Sequence, residues 1–280
     1  MAALTIGTAP APVAGEAVVA GQPVKRNRFW AGLFIALGAL YFLLPLAATF
    51  YWSLRAEKDK LGWEAYRRLF DDSNFFPAFT QSLVNAVAAI ALSLLIIVPT
   101  AYWVTLRMPG LRPVVEFITL LPFVIPPVVL VFGLIRLYSR PPLLLTSTYD
   151  KSRVILICAY AALSFPYMYR SVDNGLRAMD VRSLTEAAQS LGASWATILR
   201  KVIFPNLRVA LLSGALLTFA IVIGELTVAL FLAQRTFGPY MAELTRSKVY
   251  EPSAMAIVAF GLTWLALGMI ALVTRERKRR

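Results

Sequence analysis
The chain is 280 residues long, 59% hydrophobic and only 15% charged, with a net charge of +13, one cysteine and no histidine. Its mean hydropathy of +0.67 is far above that of a soluble domain and marks an integral membrane protein. The missing histidine excludes a His-based triad or a His-ligated metal site. No Gly-x-x-x-x-Gly-Lys-Ser/Thr run occurs, so any ATP-driven work needs a partner.

In chain order, residues 1–28 read as a flexible tail ending in Lys25-Arg26-Asn27-Arg28. The apolar run that follows is too long for a signal peptide. A first span covers about 29–54, with Trp30, Tyr51 and Trp52 near its ends as interfacial aromatics. Within the charged loop 55–78, Trp63, Tyr66, Leu69 and Phe70 are spaced for a short amphipathic surface helix. A second span runs about 79–106, and a short Pro/Gly turn closes it. The third, about 114–138, carries Pro122, Pro126 and Pro127. That density predicts a kinked or split helix facing a bundle interior, because freed carbonyls at membrane depth need protein or a wet cavity. A fourth span near 153–169 holds Cys158, read as a small buried thiol.

The polar stretch Glu186 to Pro205 interrupts the apolar segments. Leu184, Ala188, Leu191, Trp195, Ile198, Leu199 and Val202 recur at three- and four-residue steps, which predicts a helix with one apolar side. Ser183-Leu-Thr-Glu186 has the form of a capping box. Gly192 is a helix stop, Ser194 a second cap, and Pro205 the end of the insert. Asp173 and Asp180 are placed to cap or orient the helices leading into it. A fifth span, about 206–232, contains Glu225 near its middle. A sixth, about 253–274, precedes the basic tail 275–280.

Six spans put both termini on one side. That side carries sixteen lysines and arginines against twelve on the other, which favours cytoplasmic termini and a cytoplasmic insert. The basic charge then serves orientation and anionic lipid rather than nucleic acid. An ionisable group in mid-span marks a pathway or a paired site by default, so Glu225 and its neighbour Gly224 are candidates to line a solute path. Tyr160 and Phe165 on the fourth span are candidates to border it, although aromatics near helix ends also serve as interface anchors.

Glu186-Ala187-Ala188, Gly192 four residues after the second alanine, and Ile203-Phe204-Pro205 together resemble the EAA signature of permease subunits of bacterial ABC importers. Phe204 stands where many members have leucine. The resemblance covers all but residues 1–28 and implies an all-α fold of six transmembrane helices over 29–274, with a cytoplasmic coupling helix in the insert 183–205. It implies that Glu186, Ala187, Ala188, Gly192, Ala193 and Pro205 form the contact with a cytoplasmic ATPase. The implied partners are two ATPase subunits, which would bind ATP and Mg, an extracytoplasmic binding protein, and a second, different permease. Leu121-Pro-Phe-Val-Ile-Pro-Pro127 and Gly224-Glu225-Leu226 look most like the branch for spermidine or putrescine, 2-aminoethylphosphonate and ferric iron. The alternative is an ATP-independent secondary transporter or channel in which Glu225 couples an ion. A membrane enzyme is disfavoured by the lack of histidine and of a carboxylate pair within any span.

Overall fold
The computed structural model describes residues 28–57 and 60–276. The expected tails, up to residue 27 and from residue 277 onward, lie outside the described residues. Helices make up the fold, and among the described residues the only β-pairing is an isolated bridge between Glu57 and Lys60. The chain divides into two units at Pro45/Leu46. The described part of the first unit belongs to α1 (Arg28–Ser53), an apolar helix.

In the second unit, α2 (Glu64–Asp71) is the amphipathic loop helix, with Ala65 and Leu69 buried. The second span, α3 (Phe75–Leu106), begins four residues earlier than the hydropathy indicates. The third splits as the prolines predict. α4 (Arg112–Val124) and α5 (Pro127–Tyr138) are separated by extended backbone at Ile125 and meet at 99°. At 13 and 12 residues, neither half alone crosses a hydrocarbon layer of about 30 Å. The fourth span is longer than expected, running as α6 (Tyr149–Arg177) out past the apolar run. Cys158 is exposed on its outer side rather than buried.

The insert follows as α7 (Val181–Ser190) and α8 (Trp195–Ile198). Pro205 does not end it. A π-turn at Leu199–Ile203 joins α8 to α9 (Phe204–Gly224), so Trp195 to Gly224 is one 30-residue rod. A proline ring clashes with the carbonyl four residues back, and a wider π-turn just before it relieves that clash without breaking the helix. α10 (Thr227–Phe231), α11 (Phe237–Ser247) and α12 (Glu251–Glu276) complete the chain. Among the described residues four helices are long and apolar enough to cross a membrane, the bent α4–α5 pair makes up to a fifth span, and Glu251–Leu265 of α12 is a shorter apolar helix.

α3, α6 and α9 pack against one another, α4 leans on α6, and α5 packs on α10. Their contacts form three buried clusters. One joins Tyr102, Met168, Val172, Ala188, Ile198 and Ile203 and so roots the insert in the bundle. The second surrounds Tyr160, Val131 and Val228, and the third joins α2 to α11 and α12 through Leu69, Phe237 and Met255.

Candidate functional site
Two places combine exposed groups with irregular backbone. The first is the insert. Its start is capped by Asp180 rather than by Ser183. The Asp180 carboxylate accepts the Ser183 amide at 3.1 Å and the Ser183 hydroxyl at 2.7 Å. That hydroxyl, followed by the amide, holds the Asp180 carboxyl below the usual carboxylate range. A carboxylate outcompetes a hydroxyl as acceptor, so the cap moves three residues upstream of the expected box. Glu186 is therefore free of a capping role, and Arg182 one turn back donates to it at 2.9 Å.

Val181, Thr185 and Ala188 turn inward, at steps of four and three. The Thr185 hydroxyl meets Tyr102 of α3 at 2.9 Å, and Trp195 stacks edge-on against Trp103. The helix ends in a complete Schellman motif: the Gly192 amide bonds to the Gln189 carbonyl and the Ala193 amide to the Ala188 carbonyl, at 2.8 and 3.0 Å. Gly192 sits at φ +76°, a left-handed conformation that glycine adopts without strain. The alanine-to-glycine spacing of the signature is thus the spacing of this stop. Glu186, Ala187 and Gly192 face outward, as does Pro205, while Ala188 and half-buried Ala193 belong to the core side. Leu191, expected on the inner stripe, is 88% exposed. It occupies the C-cap, where the chain leaves the helical phase.

The second place is a recess of about 490 Å³ where two helix breaks oppose each other. One wall is Pro122 to Pro127, the other Gly224 to Thr227, and Leu163, Tyr167 and Ile221 close it. Glu225 is not in the middle of a helix. α9 ends at Gly224, Glu225 is extended at φ −79°, ψ 125°, and a new helix starts at Thr227. Its two carboxylate oxygens accept the Val228 and Ala229 amides at 2.8 and 3.1 Å, satisfying two of the donors that a helix start leaves open.

Tyr160 is fully buried behind this break, its hydroxyl beside the Glu225 carboxylate and the Thr236 hydroxyl but short of hydrogen-bond geometry. Phe165 faces elsewhere and packs on the insert-side cluster. Tyr167, another aromatic of the fourth span, lines the recess and meets the Phe123 ring edge-on at 5.1 Å. Its signal was the four-residue step from Leu163.

Sequence reasoning also missed what holds the second break in place. Gln234, 2% exposed, accepts from Gln81 of α3 and donates to the Tyr149 carbonyl of α6, at 3.1 and 3.0 Å. The Ser82 hydroxyl accepts the Phe237 amide at 2.8 Å. These bonds pin the turn between α10 and α11 onto two long helices.

A polytopic helical bundle with opposed breaks at a recess and a rooted, outward-facing helix stop is the architecture of a membrane transport subunit. The chain belongs to the family described as the binding-protein-dependent transport system inner membrane component, whose pattern matches residues 97–279. It is a permease subunit of an ABC importer and a multi-pass membrane protein, and its family is one of transport permeases rather than enzymes. This sets aside the ATP-independent alternative. It is similar to a probable molybdenum ABC transporter permease of Haloferax volcanii, 30% identical over 225 residues, 76% of this chain and 80% of the relative. It is also similar to the spermidine/putrescine permease PotC of Haemophilus influenzae, 27% identical over 263 residues, 90% of this chain and 96% of the relative. Among solved structures it shares the fold of a bacterial alginate ABC transporter crystallised with a pentasaccharide-bound periplasmic protein. The TM-score is 0.67 at 15% identity, over 89% of this chain and 95% of that one.

Proposed function
We propose that this permease conducts a small cationic amine, a polyamine such as spermidine or putrescine or an aminophosphonate, through the recess between its two helix breaks. The opposed breaks carry this reading, because extended backbone at membrane depth is stable only against protein or a wet cavity. Glu225 and Gly224 form one wall of the path, Tyr160 backs it, and Tyr167 with Phe123 supplies an aromatic wall. The similarity to PotC over nine-tenths of the chain supports an amine.

In this reading the chain crosses the membrane six times with both termini in the cytoplasm. It pairs with a second, different permease and receives solute from an extracytoplasmic binding protein. The insert docks on one of two cytoplasmic ATPase subunits through Glu186, Ala187 and Gly192. Leu191 supplies an apolar contact at the tip, exposed Pro205 lies at the start of the rod that follows, and Ala188 and Ala193 shape the insert from behind. Support comes from the exposure of Leu191 together with Trp195, two large apolar side chains on either side of the Gly192 stop.

One observation favours a second reading, an oxyanion. The Glu225 carboxylate is already held by two amides, so it is not a free counter-ion, and a probable molybdenum permease is among the relatives. The assembled complex in proteoliposomes separates the two by ATP-dependent uptake of labelled spermidine and of molybdate. The amine reading expects saturable spermidine uptake that falls about tenfold in Glu225→Gln, the order of one charge-assisted hydrogen bond. Spermidine uptake unchanged in that variant removes the carboxylate from the path. Molybdate uptake without spermidine uptake selects the oxyanion.

A further inference from the structure
Four charged residues at the base of the broken span belong neither to the recess nor to the exposed side of the insert. Arg112 opens α4 and Glu116 lies one turn on, while Asp173 and Arg177 lie one turn apart at the end of α6. Arg112 donates through Nε to Glu116 at 3.1 Å and through Nη2 to Asp173 Oδ1. Arg177 donates through Nε to Asp173 Oδ2 at 3.0 Å, and its Nη2 lies 3.8 Å from Glu116. Each guanidinium thus meets both carboxylates in a closed ring with two links between the helices. The Asp173 side chain is only 4% exposed, so this ring is not an ordinary solvated surface pair.

The ring sits between the two functional places. Three residues beyond Arg177 stands Asp180, the cap of the insert helix. Twelve residues beyond Arg112 stands Val124, in the recess wall. We propose that Arg112 and Asp173 are positioning residues that tie the base of α4 to the stem of the insert, so that a displacement of the insert moves α4 with it. Coupling of this kind travels through contiguous rigid elements. A ring with two cross-links resists shear between α4 and α6, and the motion is taken up at the extended residue Ile125 between α4 and α5. The inference rests on the docking reading above.

The test uses the complete reconstituted transporter, measuring uptake and ATP hydrolysis together. In Asp173→Asn the ATPase still co-purifies and hydrolyses ATP, but uptake falls at least about fivefold, the lower end of typical inter-site coupling, and ATP consumed per solute rises by the same factor. Asp173→Glu, which keeps the charge, recovers most of the ratio. If Asp173→Asn does not assemble, Arg112→Cys with Asp173→Cys in a Cys158→Ser background replaces it. Bridging the pair with a short bis-methanethiosulfonate linker restores coupling, and reducing the linker abolishes it. An unchanged ratio in Asp173→Asn, or a bridged pair no better coupled than the reduced one, overturns the tie. Failure of the unaltered chain to hold an ATPase at all strikes the docking reading instead.

Discussion

Gly238→Ala is expected to disable transport although it adds only a single methyl group. A β-carbon at Gly238 would lie 2.3 Å from the Glu225 carbonyl oxygen, 2.9 Å from its carbon and 3.1 Å from the Leu226 α-carbon. All three are backbone atoms, so no side-chain rotation relieves the clash. Neither side can retreat easily. Phe237 is buried and its amide is bonded to Ser82, while Glu225 is held by the first amides of α10. Overpacking of this kind costs about 1–3 kcal/mol, and the displaced element is the wall of the recess itself. Solute uptake in proteoliposomes should fall about tenfold or more because the wall of the recess is displaced, with a lowered melting temperature in detergent from the overpacking cost. Gly224→Ala is the control for stability: its added methyl meets nothing within 4 Å and should leave the melting temperature unchanged. Equal uptake by Gly238→Ala and the parent chain would mean that the break does not border the path.

Gly192→Val carries the second large effect, at the other end of the coupling. The residue sits at φ +76° with open space around it, so the cost is conformational rather than steric. For a β-branched side chain the left-handed region is strongly disfavoured, by at least ~1–2 kcal/mol. The Schellman bonds of Gly192 and Ala193 open, and Leu191 no longer projects where it does. The variant should insert in the membrane normally while its retention of the ATPase drops about tenfold. Gly192→Asn, a residue that tolerates the left-handed region, should retain most of the binding. If valine and asparagine bind the ATPase equally well, the geometry of the stop is irrelevant to docking.

How much of this was legible in the sequence differs from element to element, for physical reasons. The split between α4 and α5 was readable because Pro122, Pro126 and Pro127 cannot supply helix amides. The break at Glu225 contains no proline. Within a uniformly apolar run the pair Gly224-Glu225 looks like a polar residue inside a span, and only the tertiary hold of Gln234 and Gly238 shows it to be a helix end. Leu191 was in phase with the inner stripe by counting, but periodicity applies only while the helix continues, and the left-handed turn at Gly192 takes Leu191 out of it. Gly192 was legible as a helix stop because a Schellman motif has local requirements. The Arg112–Asp173 ring joins residues 61 positions apart in sequence, and nothing local announces such a pair.

The most direct test of the account is to purify the full chain from its native membrane in mild detergent and identify by mass spectrometry what remains bound. The account predicts a cytoplasmic ATPase together with a second, different permease, with the ATPase reduced in Gly192→Val. Recovery of the chain alone, or only as a self-dimer, under conditions that keep other ABC complexes whole, would contradict it.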